Sequence, residues 1–242
     1  MIEVTNLSKQ FKEVKAVDNL NFTINDGEIV GLLGENGAGK TTTLRIISTM
    51  IKCTGGIVKV NGVDINKEPS KVRSQIGILF GGEVGLYDRL TARENIRYFA
   101  ELNGMTKDAA DESIKKLSEE LQMEEYMDRR IGKFSRGMKQ KVAIARSIVH
   151  EPKVILLDEP TAGLDVSSSR LIHNFIKNCK KQNKAIVFSS HSMDEVQKLC
   201  DRVIIIHKGK MVEQGTINEL KAKYNSDDME QIFMNLVGDK NE

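Results

Sequence analysis

The chain of 242 residues is poor in cysteine and proline, with three of each, and no apolar run approaches the roughly 20 residues that a bilayer-spanning helix needs. Each absence excludes something. Cys53, Cys179 and Cys200 are odd in number, far apart and form no CxxC pair, which argues against a disulfide framework and a cysteine-built zinc site and leaves reduced, buried thiols. The opening stretch MIEVTNLSKQF lacks the basic-then-apolar pattern of a secretory signal, so a cytoplasmic protein is expected. Neither sign of charge is in excess: 36 basic and 34 acidic residues leave a formal charge of +2, which argues against a nucleic-acid partner held by bulk charge. There is no internal repeat and no low-complexity linker. A 40% hydrophobic and 29% charged composition excludes a mainly disordered chain.

What is present is a change of pattern along the chain. Leu20, Phe22 and Ile24 alternate with Asn19, Asn21, Thr23 and Asn25, the period of a half-buried strand. Asn61-Gly62 between Ile57–Val60 and Val63 is a hairpin signal. Glu28–Leu33 is nearly all apolar, as a strand buried on both faces should be. From 88 to 150 the spacing becomes helical, with helices expected over Thr91–Leu102, Lys107–Met123 and Ser135–Val149. After that, strands at Val154–Leu157, Ala185–Ser189 and Val203–His207 alternate with helices at Ser167–Lys181 and Met193–Cys200. Such alternation implies a parallel sheet flanked by helices. The lysines 177, 180, 181 and 184 read as the exposed end of a helix.

Gly34-Glu35-Asn36-Gly37-Ala38-Gly39-Lys40-Thr41 fits GxxxxGK[ST], follows the buried strand and precedes a helical stretch, Thr42–Thr49. That context is what a phosphate-binding loop requires. Glycines let successive N–H groups turn toward an anion, and the helix N-terminus adds positive potential. Lys40 then reaches the β- and γ-phosphates, and Thr41 ligates Mg²⁺. The second half is Val154–Pro160, an apolar strand ending in Asp158 and Glu159. Carboxylates there lie at the C-terminal edge of a parallel sheet, where ligands bind. Asp158 suits the Mg²⁺ shell, and Glu159 can polarise an attacking water. The guanine-reading NKxD motif is absent: Asn183-Lys184-Ala185-Ile186 has no aspartate.

Phe134-Ser135-Arg136-Gly137-Met138-Lys139-Gln140, ahead of the acidic strand end, makes the pattern specific. With the two motifs above it resembles the ATP-binding subunits of ABC transporters, whose LSGGQ signature corresponds to 134–138. Other family motifs follow in order: Asp165 in Ala162-Gly163-Leu164-Asp165 matches the loop that crosses between subunits, His191 the switch histidine, and Phe11 the aromatic that stacks on adenine.

The resemblance covers Ile2 to about Gly238 and implies an α/β fold, with a P-loop NTPase (RecA-like) core, an antiparallel β subdomain and an inserted α-helical subdomain. On this reading 1–85 and 151–222 form the nucleotide-binding core with its β subdomain, 86–150 the helical signature subdomain and 223–242 a C-terminal helical tail. The implied cofactors are ATP and Mg²⁺. Glu159, His191 and Lys40 are the catalytic residues; Phe11, the loop 34–41, Thr42, Ser135, Gly137, Met138 and Asp165 hold nucleotide, and Thr41 and Asp158 hold the metal. The signature residues contact the γ-phosphate held by a second copy, so that two ATP molecules lie in a head-to-tail dimer. The other partner is a membrane permease, which places the chain at the cytoplasmic face of the membrane; no nucleic acid is expected.

One position departs from the family. Where a glutamine normally touches Mg²⁺ and the membrane partner, this sequence has Gly81-Gly82-Glu83; either Glu83 or water substitutes, or coupling there is looser. Tyr87–Asn95 resembles the surface that docks the membrane subunit, although its charges also suit a solvated face. The run Gly81–Asn95 resembles the sodium-exporting branch, the NatA-like ATPases, and the tail Met229–Leu236 also resembles exporter-type subunits. That branch includes drug and antibiotic exporters. A soluble regulatory or DNA-repair ATPase is the rival from another class; it calls for long inserts or fused nucleotide domains, for which the chain has no room.

Overall fold

The computed structural model describes residues 1–81 and 85–238. The chain opens with β1 (Ile2–Phe11), β2 (Val14–Ile24) and β3 (Ile29–Leu33), then α1 (Lys40–Ile47), β4 (Gly55–Val60), β5 (Val63–Asp64), the short α2 (Pro69–Arg73) and β6 (Ile76–Leu79). Three helices follow: α3 (Ala92–Leu102), α4 (Lys107–Glu120) and α5 (Arg136–Ile148). The remainder is β7 (Val154–Asp158), α6 (Val166–Lys181), β8 (Ala185–Ser190), α7 (Met193–Leu199), β9 (Arg202–His207), β10 (Lys210–Thr216), α8 (Ile217–Tyr224) and α9 (Met229–Val237).

Two sheets result. A four-stranded antiparallel sheet has the order β2-β1-β4-β5, and a six-stranded sheet the order β10-β9-β3-β8-β7-β6. In the larger sheet β9, β3, β8, β7 and β6 are parallel, and β10 is an antiparallel edge. Every residue of β3, β7 and β8 is buried. The period-2 pleat explains why these strands are apolar throughout. Ile29, Leu33, Ile155, Leu157, Ile186 and Phe188 face a core shared with the helices α3 to α7. Val30, Leu32, Val154, Leu156, Ala185 and Val187 face the opposite core, closed by α1 and the antiparallel sheet. Each large apolar side chain fully buried in this way contributes about 1.5–3 kcal/mol.

The expected elements form, with shifted ends. α1 begins at Lys40 rather than Thr42, α4 ends at Glu120, α6 begins at Val166, and Cys200 falls outside α7. The hairpin turn has φ of 49° at Asn61 and 78° at Gly62, the two positive values its tight connection demands. α8 begins at Ile217, where Thr216 and Glu219 form a capping box. The lysine cluster is not simply solvated. Lys180 pairs with Asp201, and Lys184 donates to the Pro152 carbonyl at 2.7 Å.

Candidate active site

The strands β3, β8 and β7 are neighbours in the parallel sheet, so the chain leaves all three at one edge. Ligands bind at that edge in α/β sheets. The loop after β3 runs from Gly34 to Gly39. Gly39 has φ 112°, and a β-carbon there would lie 2.6 Å from the Ala16 carbonyl oxygen, so both conformation and space require glycine. This turn starts α1 at Lys40 and puts the lysine inside the loop. Lys40 is only 5% exposed, and its ammonium donates to the carbonyls of Gly34 and Glu35. Burial lowers the Lys40 pKa, and the charges of Glu159, Asp158 and Glu35 oppose that shift.

At the end of β7, the buried Asp158 accepts from Thr41 Oγ1 at 2.8 Å through Oδ2 and from Ser189 Oγ through Oδ1. Glu159 then takes φ 47°, a left-handed conformation that costs about 1–2 kcal/mol and is held by the bond from its N–H to the Ser189 carbonyl, 3.1 Å. Glu159 Oε1 lies 3.2 Å from His191 Nδ1. Glu159 is 28% exposed and His191 63%, so the pair meets solvent. Thr41, Gly81, Gln140, Arg136, Asp158 and Glu159 line one open cleft.

The residues suit a phosphate and a hard cation. Thr41 and Asp158 bring a hydroxyl and a carboxylate together as oxygen donors. Among the described residues no group of three or more His, Cys, Asp or Glu could enclose a metal. Mg²⁺ takes one or two protein oxygens and otherwise water and phosphate, a demand that the Thr41 hydroxyl and the Asp158 carboxylate can meet. Nothing lies within 4 Å of where a side chain on Gly37 would begin, so the loop crest is open.

The signature residues lie elsewhere. Ser135 caps α5, and its Oγ accepts the Met138 N–H at 3.2 Å. The Met138 N–H is thus satisfied within the first turn of the helix. Asp165 caps α6, accepting from Ser168 N at 2.9 Å and Ser168 Oγ at 2.7 Å. Those bonds hold its carboxyl below the usual range, with burial opposing them. The two helix starts touch: a β-carbon on Gly137 would lie 3.0 Å from Ser168 Oγ, and one on Gly163 2.3 Å from a guanidinium nitrogen of Arg136. Phe11 ends β1 with 46% exposure, and Lys9 Nζ lies 4.8 Å over its ring.

Of the run at 81–95, Gly81 lines the cleft, whereas Gly82 and Glu83 lie outside the described residues. Asn95 is buried and bonds both the N–H (2.8 Å) and the carbonyl (3.1 Å) of Tyr87, so part of the expected docking run shapes its own loop. Tyr87 stacks edge-on against Tyr98 at 5.5 Å.

Sequence reasoning missed Glu195. Its spacing from Ser192 is that of a capping box. Its carboxylate instead accepts from Thr161 Oγ1, Ser190 Oγ (2.9 Å) and His173 Nε2 (3.3 Å). Burial raises the Glu195 pKa, but these hydrogen bonds outweigh it and leave the carboxyl below its usual range. Arg136 over Gly163 and Gln140 against the Pro160 carbonyl were also not foreseen.

Comparison with known proteins agrees with this geometry. Residues 17–162 match the ABC transporter family model. The chain is 49% identical to the ABC transporter ATP-binding protein NatA of Bacillus subtilis (strain 168), over 97% of each chain. It is 40% identical to the bacitracin transport ATP-binding protein BcrA of Bacillus licheniformis, over 92% of this chain and 72% of that one. Among solved structures, a dimeric post-hydrolysis state of the ATP-binding cassette MJ0796 with ADP and Pi matches at TM-score 0.81 and 27% identity, covering 89% of this chain and 98% of that one. The chain belongs to the ABC transporter family, as an ATP-binding subunit that hydrolyses ATP.

Proposed function

We propose that the chain powers sodium export through a separate membrane permease, working as a head-to-tail dimer of two copies at the cytoplasmic face of the membrane. The observation that carries the motor assignment is the convergence of Lys40, Thr41, Asp158, Glu159 and His191 from three loops on one sheet edge. Lys40 and the loop 34–41 hold the phosphates, with Thr42 in the first turn of the helix behind them. Phe11 stacks on the adenine. Thr41 and Asp158 would hold Mg²⁺, which when bound neutralises charge on the phosphates. Glu159 accepts a proton from the attacking water, and His191 orients its carboxylate while facing the γ-phosphate end. Ser135, Gly137, Met138 and Asp165 complete the site of the second copy, a reading supported by the dimeric cassette described above.

The core (1–85 and 151–222) holds nucleotide, the helical stretch 86–150 passes motion to the permease through the surface around Tyr87, and a C-terminal tail that includes α9 follows. Sodium is supported by the resemblance of Gly81–Asn95 to the sodium-exporting branch and by the 49% identity to NatA. The 40% identity to a bacitracin transport protein favours a second reading, export of a drug or antibiotic.

ATP-driven sodium uptake into inside-out vesicles carrying the chain with the membrane protein encoded beside it decides between them. Uptake that disappears with Glu159→Gln is the expected result. Intact ATP hydrolysis without sodium uptake overturns the sodium assignment.

A further inference from the structure

The carboxylate of Glu195 is the meeting point of three segments. Its Oε1 accepts from Thr161 Oγ1 and His173 Nε2, and its Oε2 accepts from Ser190 Oγ. Ser190 Oγ in turn accepts the Ser192 N–H at 3.0 Å. Thr161 stands two residues after Glu159, and Ser190 immediately before His191. The cluster therefore ties together the two loops whose tips carry the Glu159–His191 pair. His173, on α6, anchors it from behind. Glu195 is 21% exposed and His173 16%, so the contact is partly buried, and Glu195 lines an open pocket together with Glu159 and His191. Behind the pair, the main link between the loops is otherwise at Ser189, which binds Asp158 and the Glu159 N–H. Ser189 fixes the strand ends, whereas Glu195 fixes the residues beyond them.

We infer that Glu195 is a positioning residue for hydrolysis: it sets the Glu159–His191 geometry from behind. This rests on the roles proposed above for Glu159 and His191. Glu195 does not touch the cleft that Thr41 and Asp158 line, so its loss leaves the phosphate loop intact. A displacement of about 1 Å at reacting groups can cost 10²-fold in rate.

The test is ATP turnover by the full-length chain carrying Glu195→Ala, Glu195→Gln or Thr161→Val, each alone and combined with His191→Ala. Glu195→Ala is expected to lower kcat by about 10- to 100-fold with KM for ATP unchanged. Glu195→Gln, which keeps an acceptor oxygen and the side-chain shape, recovers most of the loss. In the His191→Ala background Glu195→Ala costs less than about twofold more, because the geometry it maintains is already gone. General structural damage would instead multiply through both backgrounds. Thr161→Val removes one donor without emptying the site, so it carries the test if the alanine variant does not fold. A kcat within about twofold of wild type for Glu195→Ala or Thr161→Val, or a loss that multiplies with His191→Ala, overturns the inference. Glu159→Gln in parallel separates this from the reading beneath it: full activity there refutes the hydrolytic roles themselves.

Discussion

The loops after β3, β7 and β8 and the two helix starts at Ser135 and Asp165 resemble each other in sequence, being short and polar, but differ in what satisfies them. In the first region the groups look outward to one another and to the cleft. Lys40 is buried against loop carbonyls, Thr41 bonds Asp158, and Glu159 meets His191. In the second region the two capping side chains are satisfied within their own turns: Ser135 by Met138 and Asp165 by Ser168. The first region gathers its groups at one cleft, which Arg136 and Gln140 beyond Ser135 also line. The two capped helix starts gather no comparable cluster, and the dimeric cassette among the structural neighbours supports a second copy as their partner.

Breaking the first region has the largest expected effect. Glu159→Gln should retain nucleotide but lower turnover by roughly 10²–10⁴-fold, the range for losing a general base. An ATP-bound dimer should then accumulate in gel filtration. Lys40→Ala should weaken ATP binding by roughly 10- to 100-fold, the equivalent of one charge-assisted contact of about 1.5–3 kcal/mol, as titration calorimetry can check.

The second region should respond differently. Ser135→Ala removes the cap of α5 and should cost about 1 kcal/mol in chemical denaturation, with ATP affinity of the single chain unchanged. The smallest effect sharpens the first region from behind. Glu195 is more acidic in the fold than in the unfolded chain, where a glutamate titrates near about 4.3. Its contribution to stability is therefore complete above that value and is lost as pH falls through its folded value. Melting curves from pH 7 down to about 3 should show a shallower decline for Glu195→Gln than for wild type.

Legibility in the sequence followed the range of the contacts. The loop 34–41 and the Asp158-Glu159 strand end are contiguous patterns, each tied to a strand whose burial is visible in its composition, and both lie where expected. Ser135 and Asp165 were legible as motif residues, but their capping of local N–H groups emerges only from the helix starts. Glu195 was not legible. Its partners Thr161 and His173 lie 34 and 22 residues away, and locally only its N–H takes part in the Ser192 cap of α7. Lys177 and Lys181 are exposed at the end of α6 as expected, but the bonds of Lys180 to Asp201 and of Lys184 to Pro152 arise only through the fold.

The central claim, that each working site draws on two copies, is tested most directly by mixing two silent variants. Lys40→Ala disables the first region and leaves the second whole. Ser135→Asp keeps an equally good helix cap but sets a negative charge toward the phosphate. A mixed dimer contains one site built from the two undamaged halves. ATP hydrolysis that returns on mixing is the result the account predicts. A mixture as inactive as its parts, or full activity from Ser135→Asp alone, would contradict it.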